Sequence, residues 1–156
     1  MAGRETGEKI LANNKKAFFD YFIEEQLEAG IELAGTEVKS IRQGKVSIKE
    51  SYIRIENRQV YIIGMNVTPY EKGNIFNRDP LRVRRLLLHR DQINKLEASV
   101  SRSGYTLVSL NVHLTRGRVK IQIGLGKGKK NYDKRESIAK RDQQRAVERE
   151  FRMRIK

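Results

Sequence analysis

"GYTLVSLNVHLTRGRVKIQIGLG", residues 104–126, decides the architecture of this chain. Apolar side chains fall at Leu107, at Leu110 or Val112, and at Leu114 before Arg116-Gly117; they resume at Val119, Ile121, Ile123 and Leu125 with a period of two. A period of two is the pleat of a strand with one buried face, and a two-residue link between such halves makes a tight hairpin. A second hairpin lies upstream, where "SYIRIE" (51–56) and "QVYIIGMNV" (59–67) alternate across Asn57-Arg58. "YFIEEQLEAGIEL" (21–33) reads as strand broken at Gly30, and "LRVRRLLLH" (81–89) as a fifth strand.

Two helices interrupt the strands. "TEVKSIRQG" (36–44) has Thr36 as N-cap and Gly44 past its end; "RDQINKLEASVSRSG" (90–104) sets Ile93, Leu96 and Val100 at helical spacing before Gly104. "VTPYEKGNIFNRDP" (67–80) holds both prolines and is a loop. Short antiparallel strands with a few helices packed on them predict a mainly β fold, a small closed barrel without exposed edges.

At 156 residues the chain fits one domain. It has no cysteine, which excludes disulfides, thiolate zinc sites and cysteine nucleophiles. The polar start "MAGRETGEKILANNKK" and the lack of any run of about 20 apolar residues point to a cytoplasmic protein with no membrane partner. The dominant quantity is charge: 33 Lys and Arg against 19 Asp and Glu give +14, with a pI near 10.2. Such an excess calls for a polyanion, and nucleic acid is favoured over anionic membrane because no segment forms a basic helix with a Trp, Phe and Leu face. Half of the charge sits in residues 126–156, where twelve basic and five acidic side chains leave +7. The predicted division is a flexible N-terminus (1–11), a barrel (12–125) and a basic tail (126–156).

The tail opens with "GKGKKNYDKRE" (126–136). It is not a phosphate-binding loop of the ATPase type, since Gly128-Lys129 is followed by Lys130 rather than Ser or Thr, and "GLGKGKK" closes a hairpin instead of opening a helix. Gly124, Gly126 and Gly128 suit a hinge, Lys127, Lys129 and Lys130 can each face a phosphate, and Tyr132 can stack on an unpaired base. A solvated linker fits the same residues. "ESIAKRDQQRAVEREFRMRIK" (136–156) has i,i+4 pairs Glu136–Lys140, Glu148–Arg152 and Glu150–Arg154, but its apolar stripe is only Val147, Phe151 and Ile155. The expectation is a tail largely disordered until an anionic partner makes it helical. His89 and His113 sit among apolar strand residues and read as structural; Glu24, Glu25 and Glu28 read as exposed strand carboxylates. No catalytic constellation, metal-ligand spacing or cofactor motif stands out.

"GTEVKSIRQGKVSIKESYI" (35–53), "RRLLLH" (84–89), "GYTLVSL" (104–110), "GRVKIQIGLGKGKK" (117–130) and "YDKRE" (132–136), in this order, resemble the SsrA-binding protein (small protein B, SmpB) family of bacterial trans-translation. The resemblance covers roughly residues 12–137. It implies an OB-fold-like antiparallel barrel with appended helices and a basic C-terminal tail. It also implies a non-enzymatic, cofactor-free monomer that binds the tRNA-like domain of transfer-messenger RNA (tmRNA) and delivers it to stalled ribosomes. The tail would enter the empty mRNA channel and the small-subunit decoding centre.

By the same resemblance Asn14, Lys15, Glu28, Leu87 and Lys120 fall on the tmRNA-binding surface. Lys127, Gly128, Lys129 and Lys130 match a basic hinge, and Tyr132, Asp133, Lys134 and Arg135 a decoding-centre motif. Ser109 and Gly126 depart from the proline and alanine expected there, and Gly126 is expected to loosen the joint between barrel and tail. Beyond Glu136 the match is one of character. The alternative is a generic structured-RNA-binding or ribosome-associated OB-fold protein, in which the tail only adds charge.

Overall fold

The computed structural model describes residues 8–154 except Asn74, Phe76 and Ser103; the side chains of residues 8, 131–133, 136–137 and 150–154 lie outside that description. Its centre is the long hairpin of β8 (Tyr105–Thr115) and β9 (Arg118–Gly128). The turn residues Arg116 and Gly117 both take positive φ, 52° and 78°, the mirror-image turn whose twist matches that of paired strands. The hairpin of β4 (Tyr52–Glu56) and β5 (Gln59–Ile63) turns the same way through Asn57 and Arg58, φ 48° and 61°.

Around this hairpin, β1 (Glu8–Asn13) pairs with β8, and β2 (Tyr21–Ile31) runs along the other side of β9. The end of β2 pairs with β7 (Arg84–Leu87), and β7 pairs with β5. All pairings are antiparallel, in the order β1-β8-β9-β2-β7-β5-β4, with a small second sheet of β3 (Val46–Ser47) and β6 (Asn66–Val67). The sheet curls until β4 lies against β8, where the Ser51 and Ser109 hydroxyls meet at 2.6 Å. Among the described residues side chains, rather than a backbone ladder, close this seam. The helices are α1 (Lys15–Asp20), α2 (Gly35–Arg42), α3 (Arg90–Val100) and α4 (Asn131–Arg154).

Leu110 and Val112 stood as alternatives for one core position, and both are buried. A β-bulge between Ser109 and Asn111 resets the alternation. Val112 joins the main core with Ile62, Leu86, Ile121 and Ile123, while Leu110 joins Ala17 and Val108 under α1. Ser109, fully buried at the bulge, has its hydroxyl partnered by Ser51.

Several expectations are corrected. Ordered strand begins at Glu8, inside the segment expected to be flexible through residue 11, because β1 finds its ladder on β8. β2 is not broken at Gly30, which pairs with Leu87 on one side and Lys120 on the other. Strand β7 is shorter than 81–89, and α1 was not foreseen. Thr36 is not the N-cap: α2 starts at Gly35 with Ala34 as its N-cap, two residues earlier, and Glu37 reaches back to accept the Ala34 N–H at 2.9 Å. The glycines 124, 126 and 128 form no hinge, for β9 continues through them to its last residue. A Cβ on Gly126 would come within 3.0 Å of the Phe22 carbonyl and 3.1 Å of Ile23, so this glycine tightens the joint it was expected to loosen.

Arg84 is fully buried and Glu37 nearly so. Arg84 Nε donates to Glu37 Oε2 at 2.7 Å, and its Nη atoms donate to the carbonyls of Met65 (2.8 Å), Arg82 (3.0 Å) and Pro80 (3.2 Å). Arg82 Nε adds a bond to Glu37 Oε2 at 3.0 Å. Burial alone would raise the Glu37 pKa, but the bonds from Arg82, Ala34 and Arg84 outweigh it and hold the carboxyl below its ordinary 4.5. A carboxyl depressed in the folded state stabilises fully above the unfolded value and loses that contribution as pH falls through the folded one. Glu37→Gln, which leaves Arg84 buried without its counter-charge, is expected to cost about 3 kcal/mol at pH 7. In urea unfolding the gap from the wild type should shrink toward pH 3; a gap independent of pH would contradict the assignment.

Candidate nucleic-acid interface

The exposed face of β2 carries Glu28, and two residues along the same face comes Gly30. Leu87 of β7 and Lys120 of β9 are the cross-strand partners of Gly30 from either side. A Cβ on Gly30 would lie 3.3 Å from Leu87 Cβ and 3.6 Å from Lys120 Nζ, so the bare glycine lets an ammonium and a leucine converge over its backbone. Leu87 is 47% exposed, unusual for a leucine whose neighbours Leu86 and Gly30 are buried. A shallow cavity of about 330 Å³ opens here, lined by Gly30, Leu33, Val38, Leu87, Arg118 and Lys120.

Glu28 is exposed, as expected, but it is also held in place. Its Oε2 lies 2.7 Å from His113 Nε2 and accepts a bond from Thr115 Oγ1 at 3.0 Å. Burial pushes its pKa up, but the His113 and Thr115 bonds and the charges of His113 and Lys120 prevail, so the carboxyl titrates below 4.5. A fixed carboxylate, an exposed leucine and a lysine within one patch supply what an unpaired nucleotide offers contacts for: a donor edge, an apolar face and a phosphate.

Asn14 and Lys15 lie at the corner where β1 passes into α1, beside β8. Asn14 is buried, its backbone N–H bonded to the Leu110 carbonyl at 2.8 Å and its side-chain amide to that of Ser109 at 2.9 Å. Its amide therefore fixes the corner, and exposed Lys15 is the charge presented there. The structure thus brings Glu28, Leu87 and Lys120 together and sets Asn14 and Lys15 on a separate element.

At the root of the tail, Lys127 and Gly128 pair with Phe22 and Tyr21 of β2. The ammonium of Lys127 and the guanidinium of Arg102 lie 5.9 and 4.8 Å from the centre of the Tyr105 ring. Lys129 donates its N–H to the Asp20 carbonyl at 2.8 Å and its ammonium to the Phe18 carbonyl at 3.2 Å, over the Phe22 ring. Exposed Lys130 precedes α4, and Lys134 pairs with Asp20 at 3.3 Å. Tyr132 and Asp133 occupy the first turn of α4 with side chains outside the described residues, and Arg135 is exposed. Where side chains are described the helix is exposed from Ile138 through Arg149, so its lysines and arginines are open to a partner.

Gly30, Asn111, His113 and Thr115 were not foreseen as site residues. Only the cross-strand register reveals them, and period-two patterning carries no register between strands distant in sequence.

The model of the SmpB protein family matches residues 11–153. The chain belongs to the SmpB family. It is 62% identical over 143 residues to the SsrA-binding protein of Caldanaerobacter subterraneus subsp. tengcongensis, covering 92% of this chain and 90% of that one. Against the SsrA-binding protein of Lachnoclostridium phytofermentans the identity is 60%, with 94% and 96% covered. A solved SmpB chain, from the work "tmRNA-SmpB: a journey to the center of the bacterial ribosome", superposes with a TM-score of 0.64 at 42% identity, covering 81% of this chain and 92% of the other. The mainly β fold read from the sequence is thus that of SmpB.

Gly30→Ala tests the interface directly. The added methyl separates Leu87 from Lys120 and is expected to weaken RNA binding by about tenfold, the effect of one lost charge-assisted contact. Thermal melting should move by only a few degrees. Unchanged RNA affinity in a folded Gly30→Ala protein would remove this patch from the interface.

Proposed function

We propose that this chain binds the tRNA-like domain of tmRNA through the Glu28, Leu87 and Lys120 patch, with Lys15 as an outlying phosphate contact. It carries that RNA to stalled ribosomes for trans-translation in the cytoplasm, and acts as a binding factor rather than an enzyme. The observation that carries this reading is the convergence of a pinned carboxylate, an exposed leucine and a lysine across Gly30, in a chain about 60% identical to SsrA-binding proteins. Net charge of +14 supplies the sequence-independent part of the affinity.

The tail is assigned the ribosomal part of the task. Helix α4 touches the body, among the described residues, chiefly through α1 at its first turns, which leaves its basic length for the mRNA channel and decoding centre. Lys129, Lys130, Lys134 and Arg135 would meet ribosomal RNA phosphates, with Tyr132 and Asp133 at the decoding centre. Lys127 and Gly128, being part of β9, anchor this segment rather than hinge it.

Body and tail should therefore separate cleanly, provided the cut spares β9. A chain ending at Lys130 is expected to keep tmRNA affinity within about threefold, the loss corresponding to long-range attraction from the removed charges. It should prefer tmRNA over an ordinary tRNA in a gel shift, and fail to support tagging on ribosomes stalled in a purified translation system. Equal loss of binding and tagging would contradict the division of labour.

A further inference from the structure

His113 is buried, yet both of its ring nitrogens face oxygen atoms: Glu28 Oε2 lies 2.7 Å from Nε2 and Asn111 Oδ1 lies 2.7 Å from Nδ1. A neutral imidazole has one N–H and can satisfy only one of these acceptors as a donor. An imidazolium satisfies both. When the ring loses its proton, the Asn111 amide must turn and offer its nitrogen to Nδ1 for the set to remain bonded. Glu28 Oε1 takes part in neither the His113 nor the Thr115 bond, both of which end on Oε2.

The charged neighbours are few. Glu28 faces His113 from β2, and Lys120 is its cross-strand partner on β9. On β1 its partner is Ile10, with Lys9 next along the strand and Glu8 opposite Thr115. Asn111 and Thr115, on its own strand, do not titrate. Among the described residues the only carboxylate bonded to the ring is the one placed in the RNA patch, and the opposing lysine is the one assigned to a phosphate.

We propose that His113 is the positioning residue of this surface: its imidazolium clamps Glu28 Oε2, leaves Oε1 to accept a bond from an unpaired nucleotide, and couples RNA binding to proton uptake. The proposal rests on the RNA-binding function given above. A phosphate brought to Lys120 stabilises a positive ring beside it, and by linkage the RNA-bound form holds the His113 proton to higher pH. Glu28 itself stays ionised across the imidazole range, so the carboxylate does not confound the effect.

The test uses the full chain and tmRNA at constant ionic strength. Wild-type affinity is expected to fall about fivefold from pH 5.5 to 8, the effect of one partly screened charge beside the RNA. The chain has two histidines, so ring signals in NMR separate His113 from His89: the His113 midpoint should move up on RNA binding and the His89 midpoint should not. His113→Gln, which can donate to Glu28 but does not titrate, should lose the pH slope. If that variant does not fold, the wild-type NMR titration decides alone. A His113 midpoint unmoved by RNA, or an equal slope in folded His113→Gln, would overturn the clamp. Loss of preference for tmRNA over tRNA at every pH would instead sink the functional reading and the clamp with it.

Discussion

Arg84 is a guanidinium with no exposed surface, and the placement of the RNA patch depends on how it is satisfied. Its burial pushes its own pKa down against the pull of Glu37, and the charge survives because donors and acceptors are matched: a carboxylate on one side, three carbonyls on the others. Those carbonyls belong to the chain on both sides of the proline-containing loop, and Glu37 belongs to α2. One side chain thus fastens that loop, the helix and the start of β7. Leu87 is three residues further along β7 on the opposite face of the sheet. Its position over Gly30 follows from the register that Arg84 locks, because a slip by one residue would turn Leu87 inward.

Strand β9 carries the other half of the design. It pairs along nearly its whole length with both β8 and β2, presents Lys120 to the patch, and ends at Gly128, with only Lys129 and Lys130 between it and α4. Gly124 and Gly126 let Leu110, Ile23 and the β2 backbone approach to distances a side chain would forbid. The exit of the tail is consequently fixed by packing and by the Asp20 contacts to Lys129 and Lys134, so the direction in which α4 leaves the body is structurally coupled to α1.

Both hairpins, their two-residue turns, two of the helices and the change of composition near the tail were legible in the sequence, since each is a local pattern. The misreadings of Gly30 and Gly126 and the missed role of Glu28 share one cause. Gly30 looked like a breaker because glycine weakens an isolated strand; here the neighbours on both sides need its missing side chain. Gly126 looked like a hinge for the same reason. Glu28 looked like an ordinary solvated carboxylate until the β2–β9–β8 register put His113 and Thr115 beside it. The identity of Glu28, Leu87 and Lys120 as a group came from family resemblance, whereas the reason they form a group is a cross-strand arrangement of residues more than thirty positions apart. Helix α1 went unseen because six residues are too few to show a period.

The most direct test of the account is photo-crosslinking from the centre of the patch. With Leu87 replaced by photo-reactive benzoylphenylalanine in the full chain, the complex with tmRNA is irradiated and the modified nucleotides are mapped by primer extension. The account predicts a dominant crosslink at one or two adjacent nucleotides of the tRNA-like domain, unaffected by removing residues beyond Lys130. Crosslinks scattered along the mRNA-like part, or none in a complex that still forms, would show that the RNA is held elsewhere on the protein.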